Sequence, residues 1–396
     1  VSEGLSIRDP IHGFIRADAL ETALVDSQPL QRLRTIHQLG LASLIFPGAV
    51  HSRFSHVLGT MHLAGRLYDV LAGKSNGALE DHPRAPTRRL VRVAALLHDI
   101  GHAPFSHTAE ELFDEPIDHE EMTRRLLATE EIAEIFARHG DGLEPAAVAA
   151  LLAGDGEPLL GQIVSGELDV DKMDYLLRDS LFCGVRYGSY DLERLLDTVE
   201  PLAAPDTGEV GIGVAEGGVH ALEALVLARY YMFTQVYFNV VGKALELHFN
   251  RWLQEDQILW PSRPIEFLEH DDVTVTLLMR RSTSRHARAV STRSRYPLAF
   301  ETREHLKREE KAAFEHLLTE LLADFGNDEV LVSNSSKDPH RLGSKRVLVR
   351  FGDGRLEPME QASHFIRHLG RIERYRVYAA PHRRDDITAW LRSRWG

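Results

Sequence analysis

An adjacent pair, His98-Asp99, closes an apolar run that ends in Leu96-Leu97 and is followed by Gly101. A carboxylate in such a setting is costly to bury without a cation or several donors. A divalent metal would satisfy both side chains at once. A helix cap would satisfy them too, and the dipeptide alone does not choose between the two. Two further strings offer complementary ligands. In His51-Ser-Arg53-Phe-Ser-His56, the last histidine stands at the start of a helix. In Asp169-Val-Asp171-Lys172-Met-Asp174-Tyr175-Leu-Leu-Arg178-Asp179, helical spacing puts Asp171, Tyr175 and Asp179 on one face. His56, His98, Asp99 and Asp171 then form a set of two imidazoles and two carboxylates. That mixture suits Mn, Fe, Co, Ni or Zn better than Ca, with Mg as a further candidate. It leaves positions open for water and a phosphate oxygen.

These ligands need rigid carriers, and most of the chain reads as helix. Ser55–Ala72, Thr87–Asp99 and Leu168–Asp179 have apolar patterns bounded by breakers such as Gly101 and Pro104. Val219–Trp252 reads as one very long helix, and Phe300–Phe325 as an amphipathic one. Strand patterns are short and late: Val330-Leu-Val, Val347-Leu-Val-Arg-Phe and Tyr375-Arg-Val-Tyr. Thr198–Val214 reads as a hairpin, and the polar run Ser333–Lys345 as an exposed loop. The expected fold is mainly α, a large helical body to about residue 325 with a small C-terminal α/β lobe. The expected divisions are 1–200 for the helical core that carries these ligands, 201–325 for a helical extension, and 326–396 for the lobe.

Composition narrows the classes. The chain has 396 residues, a net charge of −13, 21 His and one Cys. A lone Cys183 rules out an internal disulfide and any Cys-based zinc site. No apolar run approaches the length of a transmembrane helix, and the first residues lack the apolar core of a signal peptide. A reducing cytoplasm is the expected location, with no membrane partner. The negative charge argues against a nucleic-acid coat protein. Arg280–Tyr296 runs against it, with six Arg and no acid. That segment is either a solvated face or an anion site.

The order of these strings resembles the HD superfamily of metal-dependent phosphohydrolases. More narrowly, it is similar to the deoxynucleoside triphosphate triphosphohydrolases, a group with bacterial dGTPase-like and SAM-and-HD-domain members. The resemblance is carried by Asp9-Pro-Ile-His-Gly13, Gln31-Arg-Leu-Arg34, Gln38-Leu-Gly40, Phe46-Pro-Gly48, Arg53-Phe-Ser-His56, His98-Asp-Ile-Gly-His-Ala-Pro-Phe-Ser-His107 and Asp169-Val-Asp-Lys-Met-Asp-Tyr175. It covers roughly the first 250 residues and weakens beyond them. The Gly-Tyr-Pro signature of the cyclic-dinucleotide phosphodiesterase branch is absent after the His-Asp pair.

The resemblance implies hydrolysis of a dNTP at the α-phosphorus, giving deoxynucleoside and inorganic triphosphate. It implies His119 as general acid, Glu110 as the carboxylate that orients it, and His102 and His107 around the α-phosphate; imidazole suits proton transfer near neutral pH. Arg53, Lys172 and Arg229 would clasp the phosphates. Tyr175 would pack under the sugar and crowd out a 2′-hydroxyl, while Gln38 and Asp179 would hold the 3′-hydroxyl. Leu39 and Tyr237 would border the base. Each His also has an ordinary reading as a satisfied core or surface residue.

Family members are often homo-oligomers, here expected as a dimer or tetramer, with regulatory nucleotides between subunits. Asp26, Gln31 and Arg34 match a guanine-selective site for GTP or dGTP; they also read as a helix cap with surface polar neighbours. Arg194 and Arg288 match further regulatory positions. Leu5, Arg8, Gln235 and Val240 depart from the pattern, which puts a second regulatory dNTP in doubt. No SAM domain is expected ahead of the HD region. The alternatives are an HD enzyme acting on another phosphoester, such as a nucleoside monophosphate or a nucleic-acid 3′ end, and a nucleotide sensor with an idle site.

Overall fold

The computed structural model describes residues 4–74, 79, 82–106, 112–338 and 347–395. The chain opens with an antiparallel hairpin, β1 (Leu5–Asp9) and β2 (Gly13–Ala17), in register from Leu5↔Ala17 to Asp9↔Gly13. Asp9 shapes its turn: one carboxylate oxygen accepts from the backbone N–H of Ile11 and of His12. Gly13 then takes a φ of +74°, which a residue with a Cβ adopts only at a cost.

The body is built from helices. α1 (Arg53–Gly73) buries Val57, Met61, Ala64, Leu67 and Leu71 at helical spacing. It packs on α2 (Arg84–Leu97), which buries Val91, Ala94 and Ala95 and hands directly to His98 as its C-cap. α3 (His119–Leu127) starts at an Asp118 cap. α4 (Val170–Cys183) is capped by Asp169, whose side chain accepts from the Lys172 N–H, and closes on Gly184 in the left-handed region. α1 and α4 cross at Gly59.

The expected single helix over Val219–Trp252 is interrupted. α5 (Val219–Met232) runs into a π-turn, Phe233–Tyr237, and α6 (Val240–Glu255) restarts after it. Asn239 causes the restart: its side-chain oxygen accepts from Val241 and Gly242 N–H as an N-cap. A π-turn of this kind re-aims side chains and is frequent at functional sites. No Gly or Pro marks the break, so hydrophobic patterning runs straight through it.

Two sheets follow. β3 (Val199–Ala203) and β4 (Val210–Ala215) form the expected hairpin. β5 (Leu298–Glu301) begins the segment expected to be helical from Phe300; the helix itself, α7 (Arg308–Phe325), starts only at Arg308. β6 (Val330–Lys337) extends into the run expected to be a loop, so 333–337 is strand; 339–345 of that run lies outside the described residues. β7 (Leu348–Arg350) and β8 (Leu356–Pro358) pair with each other, and β9 (Ile372–Ala379) lies between β5 and β6.

The small lobe is the β5-β9-β6 sheet covered by α7 and the Arg384–Arg394 helix around Phe314, Leu321, Val377, Ile387 and Leu391. β7 leaves it and pairs in parallel with β4, at Val214↔Val349. One continuous core runs from Ile15 to Val290 and takes in Val347, Val349, Met359 and Ile366. Residues 1–200 and 201–325 therefore share a core, and part of 326–396 belongs to it. The arginine-rich segment forms the end of the Asp272–Arg281 helix and the Arg285–Ser291 helix. Among the described residues, no single helix is long and apolar enough to cross a membrane.

Candidate metal centre and substrate cleft

His56 comes from the first turn of α1, His98 and Asp99 from the end of α2, and Asp171 from the first turn of α4. One ligand atom each of His56, His98 and Asp171 lies within 4.8 Å of the others. His56 Nε2 is 3.0 Å from Asp171 Oδ1 and 3.9 Å from Asp99 Oδ2, while His98 Nε2 is 3.2 Å from Asp99 Oδ1 and 3.8 Å from Asp171 Oδ1. The other ring nitrogens are committed. His56 Nδ1 faces Asp174 at 2.8 Å, and His98 Nδ1 faces the Ala95 carbonyl at 2.8 Å. Both acceptors require N–H on Nδ1, so the neutral rings carry bare Nε2 atoms. Those two Nε2 atoms are buried and make no aligned hydrogen bond. Two imidazole lone pairs turned toward two carboxylates repel unless a cation sits among them. The donor set fits a divalent metal with mixed nitrogen and oxygen ligands.

The electrostatics point the same way. Burial disfavours the His56 imidazolium, but Asp171 and Asp174 outweigh it and push His56 up to about 10. His98 is raised against the same burial by Asp99 and Asp171. Burial would raise Asp99; Arg53 and the surrounding histidines instead hold it well below the usual carboxylate range. The cluster thus demands positive charge, whether protons or a metal.

The centre opens into a cleft of about 930 Å³. Of the residues singled out from the sequence, Gln38, Leu39, Arg53, His98, Asp99, His102, His119, Asp171, Lys172, Tyr175, Asp179, Arg229 and Tyr237 line it. His119 is the first residue of α3, and its ring lies 4.2 Å from that of His102, centroid to centroid. His102 Nδ1 is 3.3 Å from Asp99 Oδ1. His107 and Glu110 lie outside the described residues.

The cleft is not the simple cationic pocket that its basic residues suggest. Arg53 donates to Asp99 and to Ser106 Oγ. Lys172 donates to Asp169 and to the Gly166 carbonyl. Arg229 lies 3.6 Å from Glu167. Each basic side chain is held by a carboxylate, which fixes its direction and cancels much of its charge. Asp179 is also held on both sides, by His51 Nε2 at 2.8 Å and by the Tyr237 hydroxyl at 2.7 Å. Tyr175 and Tyr237 meet edge to face at 6.3 Å. The π-turn supplies Phe233 and Tyr237, and Ser336 and Lys337 of β6 bring the small lobe to the same cleft.

Asp26, Gln31 and Arg34 lie elsewhere, on the surface around the Gln28–Arg32 helix. Gln31 donates to the Val25 carbonyl and accepts from Arg34, whose guanidinium stacks on Phe54. Several residues around the site have no role in the sequence reading: Asp174, His12, His51 and Asp169. His12 stands in the Asp9–Gly13 string and His51 just ahead of Arg53-Phe-Ser-His56, but their partners are more than 120 residues away. No local spacing could have paired them.

Comparison with known proteins is consistent with this geometry. Residues 53–179 match the HD domain, and residues 191–393 match the HD associated region. The uncharacterized protein YwfO of Bacillus subtilis is 35% identical over 286 residues, 70% of this chain and 63% of that protein. The deoxynucleoside triphosphate triphosphohydrolase SAMHD1 homolog of Dictyostelium discoideum is 32% identical over 300 residues, 70% of this chain and 55% of its own length. The human deoxynucleoside triphosphate triphosphohydrolase SAMHD1 is 33% identical over 222 residues, 48% of this chain and 35% of its own. The matches span 46–63% of the length of the first curated relatives. A crystal structure of a hypothetical protein from Aquifex aeolicus has a TM-score of 0.82 at 30% identity, covering 98% of this chain and 100% of that one. A phosphohydrolase from Bacteroides thetaiotaomicron shares the fold, with a TM-score of 0.76 at 24% identity over 96% of this chain and 100% of that one.

Proposed function

Because the chain belongs to the HD-domain family of metal-dependent phosphohydrolases, we propose that its cleft hydrolyses deoxynucleoside triphosphates to deoxynucleoside and inorganic triphosphate. One observation carries this. The His56, His98, Asp99 and Asp171 cluster, three carboxylate-held cations and a Tyr175, Tyr237 and Asp179 corner are disposed about a single cleft of about 930 Å³. A phosphatase for a simple ester needs the cluster alone. The named activity of the Dictyostelium relative supports the same substrate class.

A divalent metal held by the four ligands supplies Lewis acidity at the phosphoryl oxygen and a water of lowered pKa. The chain's own groups do the rest. Arg53, Lys172 and Arg229 bind the triphosphate oxygens, Arg as a fork and Lys as a point charge. Their carboxylate partners keep them directed before the substrate arrives, which lowers the ordering cost of binding. Water oxygen joins the α-phosphorus and the bond to the 5′-oxygen breaks. His119 gives its proton to that oxygen, and the proton released by the water restores it. His102 packs beside His119, with ring centroids 4.2 Å apart and planes tilted by 35°, and lines the α-phosphate pocket. Tyr175 packs under the sugar, Asp179 and Gln38 hold the 3′-hydroxyl, and Leu39 borders the base. His107 and Glu110 take the roles that the resemblance assigns them.

Asp26, Gln31 and Arg34 are proposed to bind a guanine nucleotide between the subunits of a homo-oligomer, on the resemblance alone. The test is product analysis. The protein is incubated with Mn²⁺ or Mg²⁺ and each dNTP, with and without GTP. Release of triphosphate supports the proposal; release of pyrophosphate or orthophosphate, or no release, rejects it.

A further inference from the structure

The turn of the N-terminal hairpin lies outside the HD match, which begins at residue 53, yet it reaches the back of the metal centre. His12 Nε2 faces Asp174 Oδ1 at 2.7 Å, and Asp174 Oδ2 faces His56 Nδ1 at 2.8 Å. Arg178 closes the arrangement. It donates to Asp174 through Nε at 2.7 Å and through its terminal nitrogen at 2.8 Å, and to Asp9 at 2.9 Å. Asp9 in turn fixes the backbone of His12 through the turn hydrogen bonds. The Asp174 and Arg178 side chains are fully buried, and that of His12 is 2% exposed.

This network takes two carboxylates and one guanidinium out of water. Such a buried assembly is weak evidence for stability, since apolar residues of the same volume often do as well. Its geometry has a different use. A metal-ligating imidazole must present a bare nitrogen, and the group bonded to its other nitrogen sets both tautomer and ring direction. Asp174 is that group for His56. It takes four donors, two from Arg178 and one from each histidine, so it has no freedom to turn. His12 is the only one of the four contributed from outside α1 and α4.

We propose that the Asp9–Gly13 turn is a positioning element of the metal centre, with His12 acting on His56 through Asp174. This gives the Asp9-Pro-Ile-His-Gly13 string a function, and it rests on the metal-centre reading above.

The experiment uses the full chain, stripped with chelator and titrated with Co²⁺ by calorimetry and visible absorption. Thermal unfolding of the metal-free protein runs in parallel. His12→Ala is expected to weaken Co²⁺ binding by about 10- to 100-fold and to change the Co²⁺ spectrum, with the metal-free unfolding temperature little moved. His12→Gln, which keeps an N–H donor, should restore most of the affinity. Phe14→Ala, on the same hairpin and 59% exposed, should change nothing. His12→Phe keeps the ring volume without the donor and carries the expectation of His12→Ala should that variant not fold. Wild-type affinity in the donor-less variants, or no rescue by His12→Gln, overturns the proposal. If the wild-type chain itself takes up no Co²⁺, the metal-centre reading has failed instead.

Discussion

Gly59 and Asp174 occupy the crossing of α1 and α4 so tightly that a Cβ on residue 59 would lie 1.9 Å from Asp174 Oδ1. It would also lie 2.5 Å from a terminal nitrogen of Arg178. The absent side chain is what lets the buried carboxylate reach His56. Asp174 cannot retreat, because four donors hold it. Gly59→Ala is therefore expected to destabilise the protein by about 1–3 kcal/mol through overpacking and to weaken metal binding with it. Urea unfolding and Co²⁺ titration check both, and an unchanged variant would show that the crossing gives way cheaply.

The ligands and the proton donor separate by mutation. His98→Ala and Asp171→Ala should lose bound metal and turnover together. His119→Ala should keep the metal and lose about 10²- to 10⁴-fold in kcat, the usual contribution of a positioned acid. Metal content by mass spectrometry, set beside steady-state rates, makes the distinction. Full activity in His119→Ala would remove that residue from the chemistry.

Tyr237→Phe deletes the hydroxyl that meets Asp179 at 2.7 Å and leaves the ring in place. Asp179 keeps its His51 partner, so the fold should hold. A lost hydrogen bond is worth about 1 kcal/mol, roughly a fivefold fall in kcat/KM. The fall should be smaller with a 3′-deoxy analogue, which Asp179 has nothing to hold. An equal fall with both substrates would place Asp179 away from the sugar.

Stability should fall on mild acidification because of a buried pair at the junction with the small lobe. His248 Nε2 accepts from the Tyr296 N–H at 3.0 Å, and its Nδ1 lies 2.7 Å from His286 Nδ1. Burial, then His286 and Arg285, pushes His248 down to about 3. The unfolded chain binds that proton near pH 6.5 and the folded one does not. This stabilisation is therefore complete above pH 6.5 and declines as pH falls toward 3, by at most about 1.4 kcal/mol per pH unit. His248→Gln should flatten the slope of unfolding temperature between pH 7 and 5. An unchanged slope would assign the acid sensitivity elsewhere.

The sequence carried the front of the site far better than its back. His98-Asp99, His56 and Asp171 stand in distinctive strings, and the helices that bear them have clear apolar spacing and caps. Asp174 shares the string of Asp171, but its role depends on His56, 118 residues away, and on His12, 162 residues away. The π-turn before Asn239 was hidden because an Asn cap leaves the hydrophobic pattern unbroken. β7 looked like part of the lobe because short strands do not reveal their partners, and only the parallel pairing of Val349 with Val214 returns it to the body.

The central claim is that water attacks the α-phosphorus and the 5′-oxygen leaves. Turnover of a dNTP in ¹⁸O-water tests it most directly, with products resolved by mass spectrometry. The account predicts one ¹⁸O in inorganic triphosphate and none in the deoxynucleoside. Label in a deoxynucleoside monophosphate, pyrophosphate or orthophosphate, or in the deoxynucleoside itself, would contradict it.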